Sequence, residues 1–148
     1  MKSIFETEAK DELINRLNKL TDKNEAKWGK MNAGQMVWHC QGPLDIMLQN
    51  KSFGMKSSWI AKLLFKKSLY NDKPWRKNLP TSKFLKTNEN KDVNSEKIIL
   101  LKLIDEVYNQ RNKESWHPHP AFGYFTPAQW GQMQYKHLDH HLKQFGID

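Results

Sequence analysis

Apolar residues along this chain recur mostly at intervals of three and four, the spacing of one face of an α-helix. Leu13, Ile14, Leu17 and Leu20 keep that interval, and Ser3-Ile4-Phe5-Glu6 ahead of them has capping-box spacing. Together they predict a first helix over residues 6–20. Asn32, with Gln35 three residues on, predicts the cap of a second helix over 33–49, striped by Met36, Cys40, Leu44 and Met47. Gly42-Pro43 falls inside it, where a kink is expected because proline cannot donate to the preceding turn. Ser57 is placed to cap a short amphipathic helix carrying Trp59, Ile60, Leu63 and Leu64. Asn71-Asp72-Lys73-Pro74 and Leu79-Pro80-Thr81 then read as turn and extended loop.

A third main helix is expected over 94–112, burying Ile98, Leu101, Ile104, Val107 and Tyr108. The two prolines of Trp116-His117-Pro118-His119-Pro120-Ala121-Phe122-Gly123 exclude helix there. Thr126-Pro127-Ala128-Gln129 is the clearest helix start in the chain, with Thr126 as cap, Pro127 in the first helical position and Gln129 closing the box. The last helix should run from there to about Gln144. No strand-like alternation and no internal repeat competes with this pattern. The fold class is therefore all-α, a four-helix bundle with a long connection between the second and third main helices.

Composition narrows the class. The chain has 148 residues, 38% hydrophobic and 11% aromatic, enough apolar material for one compact core, so residues 1–148 read as a single domain. Apolar runs such as Ile98-Ile99-Leu100-Leu101 are too short to span a bilayer, and no membrane partner is expected. Met1-Lys2-Ser3-Ile4-Phe5-Glu6 turns polar too early for a secretory signal. A single cysteine, Cys40, excludes an internal disulfide framework and a Cys-rich zinc knuckle. A cytoplasmic protein is the expectation.

The formal charge of +8 is concentrated. Between Lys51 and Lys91 eleven cations face only Asp72 and Glu89, a local balance of +9, so the rest of the chain is near neutral. Such a basic 51–91 segment could meet phosphates or another anionic polymer. Ten of the eleven cations are lysine, whereas specific phosphate reading favours the fixed donor fork of arginine. A solvated lysine-rich surface is the plainer reading, and nucleic acid is not the expected partner.

Six histidines are the main candidates for chemistry: His39, His117, His119, His137, His140 and His141. His137 and His141 lie four apart in the last helix, so both imidazoles leave one face a turn apart and could reach one metal ion at about 2.0–2.1 Å. His39, mid-way along the second helix, could supply a third ligand. His140 is the rival of His141, because three-residue spacing also shares a helix face. A histidine-decorated helix end, or a hydrogen-bonded core histidine, would give the same pattern without an ion.

The run Gly34-Gln35-Met36-Val37-Trp38-His39, followed far downstream by His137-Leu138-Asp139-His140-His141-Leu142-Lys143-Gln144, resembles the DinB/YfiT-like superfamily. Trp28-Gly29-Lys30-Met31, Lys73-Pro74-Trp75, Pro80-Thr81-Ser82, His119-Pro120-Ala121-Phe122-Gly123 and His140-His141-Leu142-Lys143-Gln144-Phe145 are similar to an uncharacterised branch of it, a domain family of unknown function. The resemblance implies a four-helix bundle that binds a divalent metal, zinc or nickel, through three histidines. Position by position, His39, His137 and His141 match the ligands, and Gln144 matches a glutamine that trails the second ligand of the last helix. His119 and His140 are left as groups beside the ligands or facing substrate.

The same resemblance implies a small-molecule substrate, with a low-molecular-weight thiol as one candidate, because better-understood relatives include thiol-dependent transferases and isomerases. A metal-dependent S-transferase or a hydrolase follows as the expected activity, and a homodimer through helix faces is compatible with it. A bundle with a purely structural ion, or an anion-binding module built on 51–91, is the alternative. No carboxylate is placed as a general base: Asp45 lies two turns from His39, and Asp139, off the His137/His141 face, is expected on exposed surface. Cys40 points about 100° from His39 and is expected in the core.

Overall fold

The computed structural model describes residues 1–148 and is all-helical. Four long helices, α1 (Thr7–Lys19), α2 (Ala33–Leu48), α4 (Val93–Asn109) and α5 (Pro127–Gln144), form a bundle. A seven-residue α3 (Trp59–Phe65) and two single 3₁₀ turns, Lys66–Leu69 and Lys83–Leu85, punctuate the connection between α2 and α4. α2 packs along α4, while α5 lies against both α1 and α2. No helix is long and apolar enough to cross a membrane.

Two of the three expected capping boxes form. Asn32 accepts from the Gln35 amide while the Gln35 side chain accepts from the Asn32 amide, and Thr126 and Gln129 repeat the exchange ahead of Pro127. The third does not. Ser3 Oγ accepts from the Phe5 amide instead, the Ile4 amide donates to the Gly131 carbonyl, and α1 starts at Thr7 behind an uncapped Glu6. Docking this turn onto α5 takes the serine out of capping position. α2 runs unbroken through Gly42-Pro43, and Ser58 rather than Ser57 caps α3.

The core joins Leu13 and Leu17 of α1, Met36, Leu44 and Met47 of α2, Leu100, Ile104 and Val107 of α4, and Trp130, Leu138 and Leu142 of α5. α4 buries Ile104 and Val107 as expected but is turned at its start: Leu100 and Leu103 are buried, while Ile98 is 70% exposed and Leu101 and Tyr108 are half-buried. Four consecutive apolar residues give that helix two overlapping stripes, and packing against α2 selects the one through Val93, Leu100, Ile104 and Val107. Cys40 is buried among this set, and burial pushes its thiol well above the usual range, so it is packing rather than nucleophile.

Polar ties cross the bundle where apolar contact ends. Arg16 is buried, donates twice to the Ile147 carbonyl and pairs with Asp139 at 2.8 Å. Asp139 is therefore a half-buried ion-pair partner, also bridged to Lys143 at 2.9 Å, and not the free surface group its register implied. Gln134 donates to the Pro43 carbonyl at 2.9 Å, joining α5 to α2.

Candidate metal centre

α2 and α5 bring His39, His137 and His141 together. All three are buried, and one ring nitrogen of each lies within 4.8 Å of the others'. His39 Nε2 stands 3.0 Å from His137 Nε2. Two imidazoles bound to one tetrahedral ion at about 2.0–2.1 Å place their nitrogens about 3.3 Å apart, so the observed approach suits a shared ion with little movement.

Hydrogen bonds on the far side of two rings fix which nitrogen each offers. His39 Nδ1–H donates to the Leu85 carbonyl at 2.8 Å, leaving the Nε2 lone pair directed at His137. His141 Nδ1–H donates to Gln144 Oε1 at 2.8 Å. The glutamine cannot be flipped, because its amide nitrogen donates to the Trp28 carbonyl at 2.7 Å. His141 therefore presents Nε2 to the centre. His137 Nε2–H donates to the lone pair of His39 Nε2, which leaves His137 Nδ1 buried with no partner.

Two glycines make these relays fit. Gly29 has φ +83°, a left-handed conformation, and a Cβ there would lie 2.6 Å from the Gln144 amide nitrogen. A Cβ at Gly42 would collide with the Leu85 side chain, whose carbonyl holds His39.

Burial lowers the pKa of His39, and it lowers His137 far more, with His141 and His39 adding to the effect. His141 is pushed down to about 3, again mainly by burial. All three rings are neutral at pH 7, and their inner nitrogens converge. Neutral imidazoles are the protonation state a metal requires, and an all-nitrogen donor set favours zinc, nickel or a similar ion over magnesium or calcium. The residues present fit such an ion.

The other histidines separate cleanly. His140 is half-buried at the outer side of the triad, 5.2 Å from His141 between ring centres, with Trp28 and Trp75 each 5.6 Å from it. His119 is buried elsewhere, against Phe122, Phe125 and Trp130. Its Nδ1 accepts from the amides of Ala121 and Phe122, and burial takes it to about 4. These contacts tie its ring to its own turn and to the aromatic cluster around Trp130. His117 is exposed and lines a cleft with Met47, Gln49 and Trp116.

Residues 2–147 match a family model described as a protein of unknown function, DUF1569. The chain belongs to the DUF1569 family. No curated protein and no solved structure matches it. For this DUF1569 chain the site must therefore be read from its own atoms, and its outer wall adds to the reading.

Trp75 lies 5.9 Å from His137, and its indole N–H donates to the Ser68 carbonyl at 2.7 Å. Lys136 binds the same carbonyl and two oxygens of Asn71, so the 68–75 stretch is tied to α5 beside the ligands. Lys77 stands over the Trp28 ring at 4.8 Å. Trp75 and Trp28 carried a sequence signal, in Lys73-Pro74-Trp75 and Trp28-Gly29. The Leu85 carbonyl carried none, because any residue supplies a carbonyl. Asp45 pairs with Lys51 at 2.9 Å, so it adds no base to the triad.

Proposed function

We propose that this chain is a DinB-like bundle in which His39, His137 and His141 hold one divalent ion, zinc or nickel, for small-molecule chemistry. One observation carries the reading: three buried, neutral imidazoles converge, and two have their outer nitrogens already committed to Leu85 and Gln144. Ligating histidines are oriented by such outer hydrogen bonds, and a buried imidazole nitrogen without a partner, as at His137 Nδ1, is otherwise costly. When bound, the ion supplies Lewis-acid polarisation and an acidified water or thiol.

The chain's own residues do the rest. Leu85 and Gln144 hold the tautomers of His39 and His141, and Trp75 shields His137 from bulk water on its outer side. Trp28, Trp75 and His140 make an amphipathic wall suited to a small molecule, and His140 is the one histidine there free to exchange a proton, since no hydrogen bond ties it down. A thiol S-transferase or a hydrolase is the activity proposed; three ligands leave positions for substrate, as catalytic sites do and closed structural sites do not.

The test is titration of zinc or nickel into metal-stripped protein, followed by thiol-transfer and hydrolysis assays. One ion per chain, lost in His39→Ala, His137→Ala and His141→Ala, is the expected result. Retention in His141→Ala with loss in His140→Ala would move the ligand by one residue. If stripping the ion collapses the melting temperature and no assay responds to its return, the ion is structural.

A further inference from the structure

We propose that α3 is an interfacial anchor that docks this protein onto a bilayer surface carrying anionic lipid headgroups. In a chain that buries most of its large apolar residues, α3 leaves all of its own exposed: Trp59 is 73% exposed, Ile60 51%, Leu63 75%, Leu64 63% and Phe65 47%. The residues it turns inward are Ala61 and the half-buried Lys62. The short helix thus presents its apolar face to the outside, and Tyr124, 55% exposed, is joined to it through the Lys66 bond to the Tyr124 carbonyl.

Hydrogen bonds on either side tie the helix to the bundle. Ser58 caps α3 and its amide reaches the Ala121 carbonyl, while Lys136 and Trp75 both hold the Ser68 carbonyl just beyond. An exposed apolar patch of this kind marks a contact surface.

Charge selects the occupant. From Ser52 to Tyr70 there is no acidic residue, while Lys56, Lys62, Lys66 and Lys67 stand in that stretch and Lys51, just before it, is paired with Asp45. A second copy meeting this face through a twofold axis would set the same lysines against each other. An anionic bilayer surface accepts both features: apolar side chains sink about 5–10 Å into the headgroup boundary, and each lysine near the surface contributes about 1 kcal/mol. Trp59 is the residue type that settles at headgroup depth. Such docking needs no membrane span, so the shortness of the apolar runs does not oppose it. The inference stands apart from the metal reading.

The experiment is flotation of the full chain with phosphatidylcholine vesicles, with and without phosphatidylglycerol. Binding is expected only to the anionic vesicles and should weaken in high salt. Trp59→Ser/Leu63→Ser, whose exposed positions leave helix content and melting temperature unchanged, should lower partitioning at least tenfold. Lys56→Gln and Lys67→Gln should each lower it about fivefold, the equivalent of about 1 kcal/mol. No binding to anionic vesicles, or equal binding to neutral ones, overturns the proposal. A dimer in solution that Trp59→Ser/Leu63→Ser dissolves, without vesicle binding, would give the face to a second copy.

Discussion

Each ligand histidine offers the nitrogen that its outer partner leaves it. Gln144 connects the Trp28 carbonyl to His141 Nδ1, so Gln144→Leu should keep the bundle folded and weaken metal binding about 10–100-fold, measured by competition with a chromogenic chelator. Unchanged affinity would mean that the relay does not orient the ligand. Gly29→Ala should reproduce part of that loss, since it strains a backbone at φ +83° and crowds the Gln144 amide. His117→Ala, at an exposed loop position, should bind metal as the parent does.

At the scale of helices, the burial pattern makes a sharp contrast within α4. Leu100→Ala should cost about 2–5 kcal/mol and Ile98→Ala no more than about 0.5, by urea denaturation. The reverse order would mean that the helix is rotated. Thr126→Ala, which removes the cap of the helix carrying His137 and His141, should cost about 1 kcal/mol.

The same contrast explains what could be read in advance. α5 was legible to its last residue because local chemistry fixes it: a threonine cap, a proline at the first position and histidines one turn apart. The face of α4 was not, because Ile98 to Leu101 are interchangeable until a neighbouring helix chooses among them. Ser3 failed as a cap for a similar reason, having been claimed by a turn that docks on α5. Of the site, the three converging histidines follow spacing and resemblance. The Leu85 carbonyl comes from a 3₁₀ turn 46 residues away from His39, and no side-chain pattern announces a backbone acceptor. Asp139 was misplaced because its partner, Arg16, lies 123 residues distant.

For the molecule as a whole, buried histidines tie stability to pH. Burial holds His141 down to about 3 and His119 to about 4, and lowers His39 and His137 as well. Their unfolded values lie near 6.5. Below that value the unfolded chain takes up protons that the fold refuses, so stability rises with pH. Metal-free protein should show a steady urea midpoint above about pH 6.5 and a falling one from there towards about pH 4. An unchanged midpoint across that window would mean that these rings are not neutral in the fold.

Elemental analysis separates a metal centre from a histidine cluster that only packs. Protein purified without a histidine tag should carry close to one zinc or nickel per chain, and His137→Ala/His141→Ala should carry none. No bound metal in the parent, even after reconstitution, would mean that there is no metal centre and that the three buried histidines serve packing alone.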